Sequence, residues 1–412
     1  MAAPVFVLGG HQTDFARSFT REGLGLAELC AETVNGALAA AAVDAHEVEV
    51  GHVGNFAAEL YSGQGHLGGL FVEAHPDLAG LPTSRHEAAC ASGSVAVLAA
   101  MADLQAGRYD VACVLGVELM RTLPAFEAQQ KLGAAAWVPR ETDGVDYPWP
   151  AMFSALGDEY ERRFGLDPRH LAEISRKNFA NAKRNPNAQT RGWRLDDQSF
   201  APDPERNPVV AGRIRRQDCS QVTDGGAALL LASPRYASRW AARHGRSLDA
   251  VPRILGFGHR TARMALADKL AESRDGEYVF PHVRGAIQDA FRRASLRGVE
   301  DVDCVELHDC FTTTEYMAID HLGLTPPGES WRAIEDGTVG PKGRTPLNPS
   351  GGLIGGGHPV GASGVRMLLD VAKQVGGDAG DVQVEGARRG ATLNIGGSAT
   401  TTVCFVVGRG EA

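Results

Sequence analysis

The chain has 412 residues, 43% of them hydrophobic, and a formal net charge of −9. This length corresponds to about two or three domain-sized units with sizeable buried cores. The acidic balance and the absence of a lysine- and arginine-rich run argue against a general nucleic-acid binder. No apolar run is long enough for a membrane span. The first residues do not resemble a signal peptide, and the last four are not a peroxisomal Ser-Lys-Leu address.

The cysteine pattern indicates free thiols. There are seven cysteines, an odd number, and no Cys-x-x-Cys pair. A large chain with this pattern is typical of a reducing compartment and not of a disulfide framework. We therefore predict a cytoplasmic protein.

In chain order, short apolar runs alternate with helical stretches and predict an α/β fold. In the first part we expect strands at 5–8, 48–55, 111–117 and 224–232, helices at 25–42 and 94–106, and a glycine-rich loop at 61–69. From about residue 120 the composition changes to more Pro, Trp, Arg and Asp, with helices at 152–164 and 169–184, which indicates an inserted segment. A second series then has strands at 253–257, 304–307, 391–395 and 400–407 and helices at 282–294, 312–322 and 361–375. Strands alternating with helices predict a largely parallel sheet covered on both faces.

The most informative stretch is Glu87-Ala-Ala-Cys-Ala-Ser-Gly-Ser-Val95. Cys90 stands where small residues give way to a helical run that Gly107 ends. A cysteine on the first turn of a helix is near unpaired N–H groups and the positive end of the dipole, which favour the nucleophilic thiolate. The alternative is a buried cysteine that packs as a small apolar side chain.

A second segment with candidate functional side chains is His308-Asp-Cys-Phe311, which follows an apolar strand. A strand end that opens into a helix is where open α/β sheets place ligand chemistry. Alternatives for this segment are a surface turn at His308, a packed thiol at Cys310, or a His-x-Cys metal pair. The metal interpretation lacks further clustered ligands in the sequence.

Two glycine-rich segments complete the set. In Gly351-Gly-Leu-Ile-Gly-Gly-Gly-His-Pro-Val-Gly-Ala-Ser-Gly364, the glycines predict a backbone threaded close to a ligand, with His358 held at the turn; a flexible linker is the alternative. Asn394-Ile-Gly-Gly-Ser398 lies at a strand end, where its N–H groups can point into a pocket. A plain β-bulge is the alternative there.

Together these segments resemble the thiolase superfamily over essentially the whole chain. Gly357-His-Pro-Val-Gly361 is similar to the family's quite specific Gly-His-Pro-x-Gly motif. The common thiolases carry Asn-Glu-Ala-Phe where this chain has His308-Asp-Cys-Phe311, and a Cys-x-Gly cysteine where it has Asn394-Ile-Gly396. Both departures match the sterol-carrier-protein-type (SCP2-type) branch, here without a sterol-carrier domain.

The resemblance implies a five-layered αβαβα fold of two repeated halves, 1–120 with 222–250 and 251–412, and a loop domain at 121–221 that covers coenzyme A. It implies an acyl-CoA:acetyl-CoA acyltransferase that uses CoA thioesters as substrates and needs no permanent cofactor or metal. The implied roles are nucleophile for Cys90, its proton partner for His358 and base for Cys310. His308 and His358 would line one oxyanion hole, and the N–H groups of Cys90 and Gly396 would form the other.

Partners and rival functions follow from the same resemblance. A homodimer or dimer of dimers is expected. A small partner protein is a further possibility, because some relatives in this branch work with one. The rivals are a ketoacyl-synthase-type condensing enzyme, a partner-dependent retro-aldolase and a non-catalytic acyl-CoA-binding scaffold. Retention of Cys90 favours the thiolase, because the retro-aldolases do not need that cysteine. Acyl chain length and reaction direction are not encoded in any pattern that we recognise.

Overall fold

The computed structural model describes residues 3–410, and it contains two sheets and fourteen α-helices in that range. The strands are β1 (Val5–Gln12), β2 (Val50–Gly54), β3 (Thr83–His86), β4 (Val111–Glu118), β5 (Val209–Ala211), β6 (Ile214–Arg215), β7 (Gly225–Ala232), β8 (Arg253–Thr261), β9 (Cys304–Leu307), β10 (Arg389–Gly396) and β11 (Thr401–Gly408). The helices are α1 (Leu26–Ala41), α2 (Ala58–Ser62), α3 (Leu67–Val72), α4 (Ser92–Gln105), α5 (Ala125–Leu132), α6 (Pro148–Phe164), α7 (Pro168–Ala182), α8 (Pro234–Arg243), α9 (Leu266–Glu272), α10 (Pro281–Arg293), α11 (Thr312–Leu322), α12 (Ser330–Glu335), α13 (Gly352–Gly356) and α14 (Ser363–Gly376).

The large sheet shows that the two halves repeat one topology. Its nine strands lie in the order β3-β2-β4-β7-β1-β8-β11-β10-β9. Read outward from the middle, the first half runs β1-β7-β4-β2-β3 and the second runs β8-β11-β10-β9, followed by a single parallel bridge between Val305 and Leu347 in place of a fifth strand. The halves join where Val5 and Phe6 of β1 pair with Ile254 and Arg253 of β8. The repeat of architecture predicted from the sequence is therefore confirmed.

The expectation of a largely parallel sheet is wrong, because the sheet is mixed. Strand β2 runs parallel to β3 and β4, and β9 runs parallel to β10. The five other pairings, β1–β7, β1–β8, β4–β7, β8–β11 and β10–β11, are antiparallel. The reason is local for β10 and β11, since a turn of only four residues, 397–400, allows only an antiparallel return.

Three layers of helices and the two halves of the sheet form the five αβαβα layers expected for this fold class. Helices α4 and α14 pack against each other between the two halves of the sheet. Helix α1 covers the outer face of the first half, and α10 covers that of the second. Three large hydrophobic cores result, and the central one includes Val97 of α4, Leu368 of α14 and Phe405 of β11, each fully buried.

The segment between β4 and β7 is mainly helical, as predicted for the insertion, and it packs on the second half. The buried Tyr160 of α6 donates a hydrogen bond to Asp320 (3.0 Å) and meets Tyr316 edge to face. At its end the segment returns beside two of the segments that the sequence singled out. Cys219 forms an antiparallel bridge with Phe311, and residue 222 a parallel bridge with residue 358. The insertion thus forms a wall of the site described below.

Most predicted elements are present, with boundary shifts of a few residues. A second expectation was also wrong, since the predicted glycine-rich loop at 61–69 contains the end of α2 and the start of α3. All seven cysteines are free thiols, as their odd number predicted. None of the helices described between residues 3 and 410 has both the length and the apolar character needed to cross a bilayer.

Candidate active site

Cys90 lies in a tight turn between β3 and α4. Ala89, the residue before it, has a left-handed backbone conformation with φ of +50°, which is uncommon for a residue with a side chain. Two short backbone hydrogen bonds hold the turn, from the N–H of Ala91 to the carbonyl of Ala88 and from the N–H of Ser92 to the carbonyl of Ala89. The first helical residue is Ser92, so Cys90 precedes the helix by two residues and does not lie on its first turn as expected.

The expectation that Cys90 is a thiolate in the resting protein is also wrong. Burial raises the pKa of the Cys90 thiol to about 12, and the negative charge of Glu118 adds to this increase. A hydrogen bond from the backbone N–H of Gly397 favours the thiolate but does not outweigh burial. The helix end therefore does not make a standing thiolate, and Cys90 needs an acceptor for its proton when it attacks.

His358 is placed to be that acceptor. Its backbone N–H donates to Oγ1 of Thr223 (2.9 Å), and its Nδ1 lies 2.7 Å from Oγ of Ser363. That hydroxyl donates its single proton to the carbonyl of Pro359 (3.1 Å), so Nδ1–H of His358 donates to Ser363 and Nε2 carries the free lone pair. Burial, and then the charge of Arg366, lower the pKa of His358 to about 3, so the ring is neutral near pH 7.

The segment that follows β9 brings His308 and Cys310 to the same place. His308 is 1% exposed, so it is not in a surface turn. Its Nδ1 accepts a hydrogen bond from Nδ2 of Asn394 (3.2 Å). Sγ of Cys310 lies 3.7 Å from Oγ1 of Thr314. Burial raises the pKa of the Cys310 thiol, and the charge of a Cys90 thiolate would raise it further, which reflects the closeness of the two sulfurs.

Three of the predicted site residues lie close together. Sγ of Cys90 and one ring nitrogen each of His308 and His358 all lie within 4.8 Å of one another. The Nε2 atoms of both histidines are buried and have no hydrogen-bond partner among residues 3–410. A sulfur and two imidazoles also suggest a metal site, but the hydrogen bond accepted by Nδ1 of His308 leaves a proton on its Nε2, and a protonated nitrogen does not ligate.

A cavity of about 800 Å³ adjoins this cluster. Cys90, Cys310 and His358 line it together with Phe153 and Phe311, which stack with 4.7 Å between ring centroids. Exposed side chains line it as well and mark the end that opens to solvent: Arg21, Tyr147, Trp193, Val209 and Arg216. The cavity is therefore apolar near the sulfurs and basic near solvent.

The glycine turn after β10 lies on the opposite side of Cys90. Gly397, with φ of +62°, lines the cavity, and its N–H, like that of Cys90 itself, lowers the pKa of the Cys90 thiol. The sequence analysis expected an oxyanion-hole N–H at Gly396, which is the last residue of β10 and directly precedes Gly397. Lys269 holds this turn from behind, since its buried ammonium donates to Oγ of Ser398 and Oγ1 of Thr400 (2.8 and 2.9 Å).

Sequence reasoning missed two buried carboxylates that fix the catalytic loops. Asp309 accepts hydrogen bonds from the backbone N–H groups of Leu353 (2.6 Å) and Ile354 (3.3 Å), and so ties the His308 segment to the glycine-rich loop. Burial raises the pKa of Asp309 to about 7. Its position inside the quoted motif was the available signal, because a buried acid beside a glycine-rich loop serves to accept that loop's N–H groups.

The second missed carboxylate is Glu118 at the end of β4. It accepts from the backbone N–H groups of Phe56 (2.9 Å), Ala57 (3.0 Å) and Gly361 (3.0 Å). The contact to Gly361 links the first half to the loop that carries His358. Nothing in the sequence distinguished Glu118 from an ordinary polar residue at a strand end.

A repeated α/β fold with a cysteine at one half's strand–helix turn, and a second cysteine and two histidines from the other half, defines a class of thiol-dependent acyltransferases. The model of the thiolase N-terminal domain matches residues 5–191, and the thiolase C-terminal domain-like model matches residues 265–409. The chain belongs to the thiolase family.

Relatives and solved structures agree with this assignment. The chain is 31% identical over 406 residues to an acetyl-CoA acetyltransferase of Methanothermobacter thermautotrophicus, covering 98% of this chain and 99% of that protein. It is 27% identical to sterol carrier protein 2 of Gallus gallus over 99% of this chain and 72% of the other. The fold is shared with human mitochondrial 3-ketoacyl-CoA thiolase in complex with CoA (TM-score 0.70, 17% identity, 100% of each chain) and with an Ltp2-ChsH2(DUF35) aldolase (TM-score 0.76, 18% identity, 98% of each chain).

Proposed function

We propose that this protein transfers acyl groups between CoA thioesters, and so makes or cleaves 3-oxoacyl-CoA through an acyl intermediate on Cys90. The observation that carries the proposal is the convergence of Cys90, Cys310 and His358 on the floor of one cavity. Two thiols and one imidazole supply what the reaction needs, namely a nucleophile, a base for a weakly acidic carbon and a proton carrier. The substrates supply the CoA, and no permanently bound cofactor is required.

In the first step Cys90 attacks the thioester carbonyl of an acyl-CoA. The thiol proton passes to Nε2 of His358 as the new carbon–sulfur bond forms. The bond to the CoA sulfur then breaks, and the leaving thiolate takes the proton of Cys310. Because burial raises the pKa of Cys310, its thiolate is a strong base once it has been created in this way.

In the second step the Cys310 thiolate removes a proton from the methyl group of acetyl-CoA. The resulting carbanion attacks the acyl carbonyl on Cys90, a carbon–carbon bond forms, and the bond to the Cys90 sulfur breaks. Cys90 recovers its proton from His358, and Cys310 holds the proton of the methyl group, so both thiols are restored. Thiolysis of a 3-oxoacyl-CoA is the same path in reverse.

Each step builds negative charge on a thioester oxygen, which needs hydrogen-bond donors. Loss of one such donor typically costs about 2.7–4 kcal/mol of transition-state stabilisation. We assign the enolate oxygen of acetyl-CoA to the unpartnered Nε2 atoms of His308 and His358. We assign the acyl oxygen on Cys90 to backbone N–H groups of Cys90 and of the turn that begins at Gly396.

The cavity suggests how CoA would lie. Its basic outer end, with Arg21 and Arg216, fits the phosphates, and the half-exposed Trp193 offers a face for adenine. Residues 193 and 216 belong to the 121–221 segment. We therefore propose that this segment is a loop domain that covers CoA, between the halves 1–120 with 222–250 and 251–412.

We also propose a homodimer. Strand β3 is the outermost strand of the first half, and its four residues are half-buried or exposed, so its outer edge is free to pair with a second copy. A small partner protein is a further proposal, supported by the fold shared with the aldolase complex named above. Light scattering of the purified protein tests the dimer: a monomer at micromolar concentration would contradict it.

The reaction is tested by chromatography of CoA species. With acetyl-CoA and a longer acyl-CoA we expect 3-oxoacyl-CoA and free CoA, and with 3-oxoacyl-CoA we expect cleavage that requires added CoA. Cys90→Ala should abolish both. Cleavage of a 3-hydroxyacyl-CoA that survives in Cys90→Ala would instead identify a retro-aldolase, and acyl-CoA binding without any conversion would identify a scaffold.

A further inference from the structure

Asn394 lies fully buried at the end of β10, between the two halves of the site. Its Nδ2 lies 3.2 Å from Nδ1 of His308, and its Oδ1 accepts a hydrogen bond from Oγ of Ser94 in α4 (2.8 Å). Gly364 of α14 packs directly against this pair, since a side chain at residue 364 would meet both Oγ of Ser94 and Oδ1 of Asn394. The amide therefore has little room to move.

Ser94 fixes which way the amide faces. A hydroxyl has one proton to donate, and in the observed arrangement that proton goes to Oδ1 of Asn394. If the amide were turned around, the Ser94 proton would have no acceptor among the hydrogen bonds formed within residues 3–410. A buried donor without a partner costs about 1–3 kcal/mol, so the observed orientation is favoured.

The amide orientation determines the proton position on His308. An NH₂ group can only donate, so Nδ1 of His308 must be the unprotonated nitrogen and the proton must be on Nε2. Nε2 is buried and has no partner among the described residues, and a ring nitrogen of His308 lies within 4.8 Å of both Sγ of Cys90 and a ring nitrogen of His358. His308 thus presents a fixed N–H donor, whereas His358 presents a lone pair.

We propose that Asn394 is a positioning residue that selects the Nε2–H tautomer of His308, so that His308 acts only as a hydrogen-bond donor and, of the two histidines, only His358 moves protons. This rests on the proposed function, since the donor is needed for the enolate oxygen of acetyl-CoA. It also disfavours a transition metal at the cysteine and two imidazoles that lie within 4.8 Å of one another, because a nitrogen of His308 then carries a fixed proton.

Asn394→Asp tests the proposal, because a carboxylate accepts where the amide donates. Nδ1 of His308 must then carry the proton, and Nε2 loses it. We expect carbon–carbon bond formation and thiolysis to fall about 10²–10³-fold, the usual effect of losing one donor to a developing oxyanion. Exchange of labelled CoA into acyl-CoA should change by less than about threefold, since it uses the backbone donors around Cys90 and not His308. Equal loss of both activities would contradict the proposal.

Asn394→Asp combined with His308→Asn separates the effect of the tautomer from a general effect of the new charge. The His308→Asn variant has no imidazole and therefore no tautomer, so Asn394→Asp should add little to the loss of activity that His308→Asn already causes. An undiminished further loss in that background would show that the charge, and not the tautomer, is responsible.

Zinc provides a readout that a purely structural role would not affect. A carboxylate on Nδ1–H is the usual outer partner of a metal-binding histidine, so Asn394→Asp should turn a lone pair toward Cys90 and His358. We expect half-inhibition of exchange at a Zn²⁺ concentration about 10–100-fold lower than in the unsubstituted protein, reversed by a chelator. Unchanged zinc sensitivity would argue against the proposal.

The tautomer is measured directly by ¹⁵N NMR of histidine-labelled protein, with the His308 signals identified by their loss in His308→Gln. Protonated Nε2 and unprotonated Nδ1 are expected, and the opposite pattern would overturn the proposal. Because this measurement needs neither substrate nor activity, it tests Asn394 even if Asn394→Asp does not fold. It also keeps a failure of this proposal distinct from a failure of the proposed function, which would appear as absent exchange in the unsubstituted protein.

Discussion

The rings of His308 and His358 meet edge to face, with 5.2 Å between their centroids and 84° between their planes. Both rings are buried and both are held through Nδ1, one by Asn394 and the other by Ser363. Asn394 leaves the proton of His308 on Nε2, whereas Ser363 holds the proton of His358 on Nδ1. At Nε2, His308 therefore presents an N–H group and His358 a lone pair. The proposed chemistry depends on this difference.

The two cysteines should have separable roles. Cys310→Ala keeps the nucleophile and His358 but removes the base for the acetyl methyl group. We expect acyl-Cys90 to form still, because the CoA thiolate can leave without the Cys310 proton and take one from solvent. Condensation and thiolysis should fall by at least about 10³-fold. Mass spectrometry of the acylated protein and chromatography of the products measure the two effects. Loss of acylation together with condensation would contradict the assignment of Cys310 as the base.

The free enzyme should lack a thiolate–imidazolium pair. Since burial raises the pKa of Cys90 to about 12 and lowers that of His358 to about 3, both groups are neutral near pH 7. The thiolate fraction, and with it the rate of Cys90 alkylation by iodoacetamide, should rise about tenfold per pH unit between about pH 7 and 9. Peptide mass spectrometry separates Cys90 from the six other thiols. A rate that is flat over this range would reveal a preformed ion pair.

The stacked phenylalanines should limit the acyl group. Phe153 and Phe311 form an apolar wall beside Cys310, so Phe153→Ala opens space next to the reacting carbon. We expect the ratio of kcat/KM for a longer acyl-CoA over a shorter one to rise about 10-fold or more. Phe164→Ala, on the same helix but 38% exposed and outside the cavity lining, is the matched control and should leave the ratio unchanged. No change in Phe153→Ala would place the acyl chain elsewhere.

A buried ion pair beneath the glycine-rich loop should contribute to the free energy of unfolding. The guanidinium of Arg366 lies 2.9 Å from Glu306, and both side chains are almost completely buried. Arg366→Met leaves the carboxylate without its counter-charge and should lower the free energy of unfolding by about 3–5 kcal/mol, measured by urea denaturation. The double variant Arg366→Met with Glu306→Gln should recover much of this loss.

An exposed ion pair gives the control for that measurement. Arg108 pairs with Asp103 at 3.3 Å, with 72% of its side chain exposed. Arg108→Met should cost less than about 1 kcal/mol, because solvent screens the pair. Similar losses for the two arginine variants would mean that burial does not govern the contribution of Arg366.

The sequence predicted the fold well where patterns are local. The apolar run of β9, the helical stretch at 312–322 and Gly107 after α4 located element ends to within a few residues. Strand direction is local only for β10 and β11, which a four-residue turn joins. The direction of β7 relative to β4 was not predictable in this way, because the long insertion between these strands decides where the chain returns.

For the site, residue types were predictable and their electrostatic states were not. Cys90, His308, Cys310 and His358 stood out through their motifs, and the structure brings them together. The expected thiolate at Cys90 depended on helix position alone, whereas burial, which no local pattern reveals, sets its pKa. Glu118 was missed for the same reason, since its role comes from N–H groups that are distant in sequence.

The central claim is that Cys90 carries the acyl group, and mass spectrometry of the protein after incubation with a panel of acyl-CoAs tests it most directly. We expect one added acyl group per chain, located on the peptide that contains Cys90, absent in Cys90→Ala and removed by free CoA. An acyl group on another residue, or equal labelling of Cys90→Ala and the unsubstituted protein, would contradict the account.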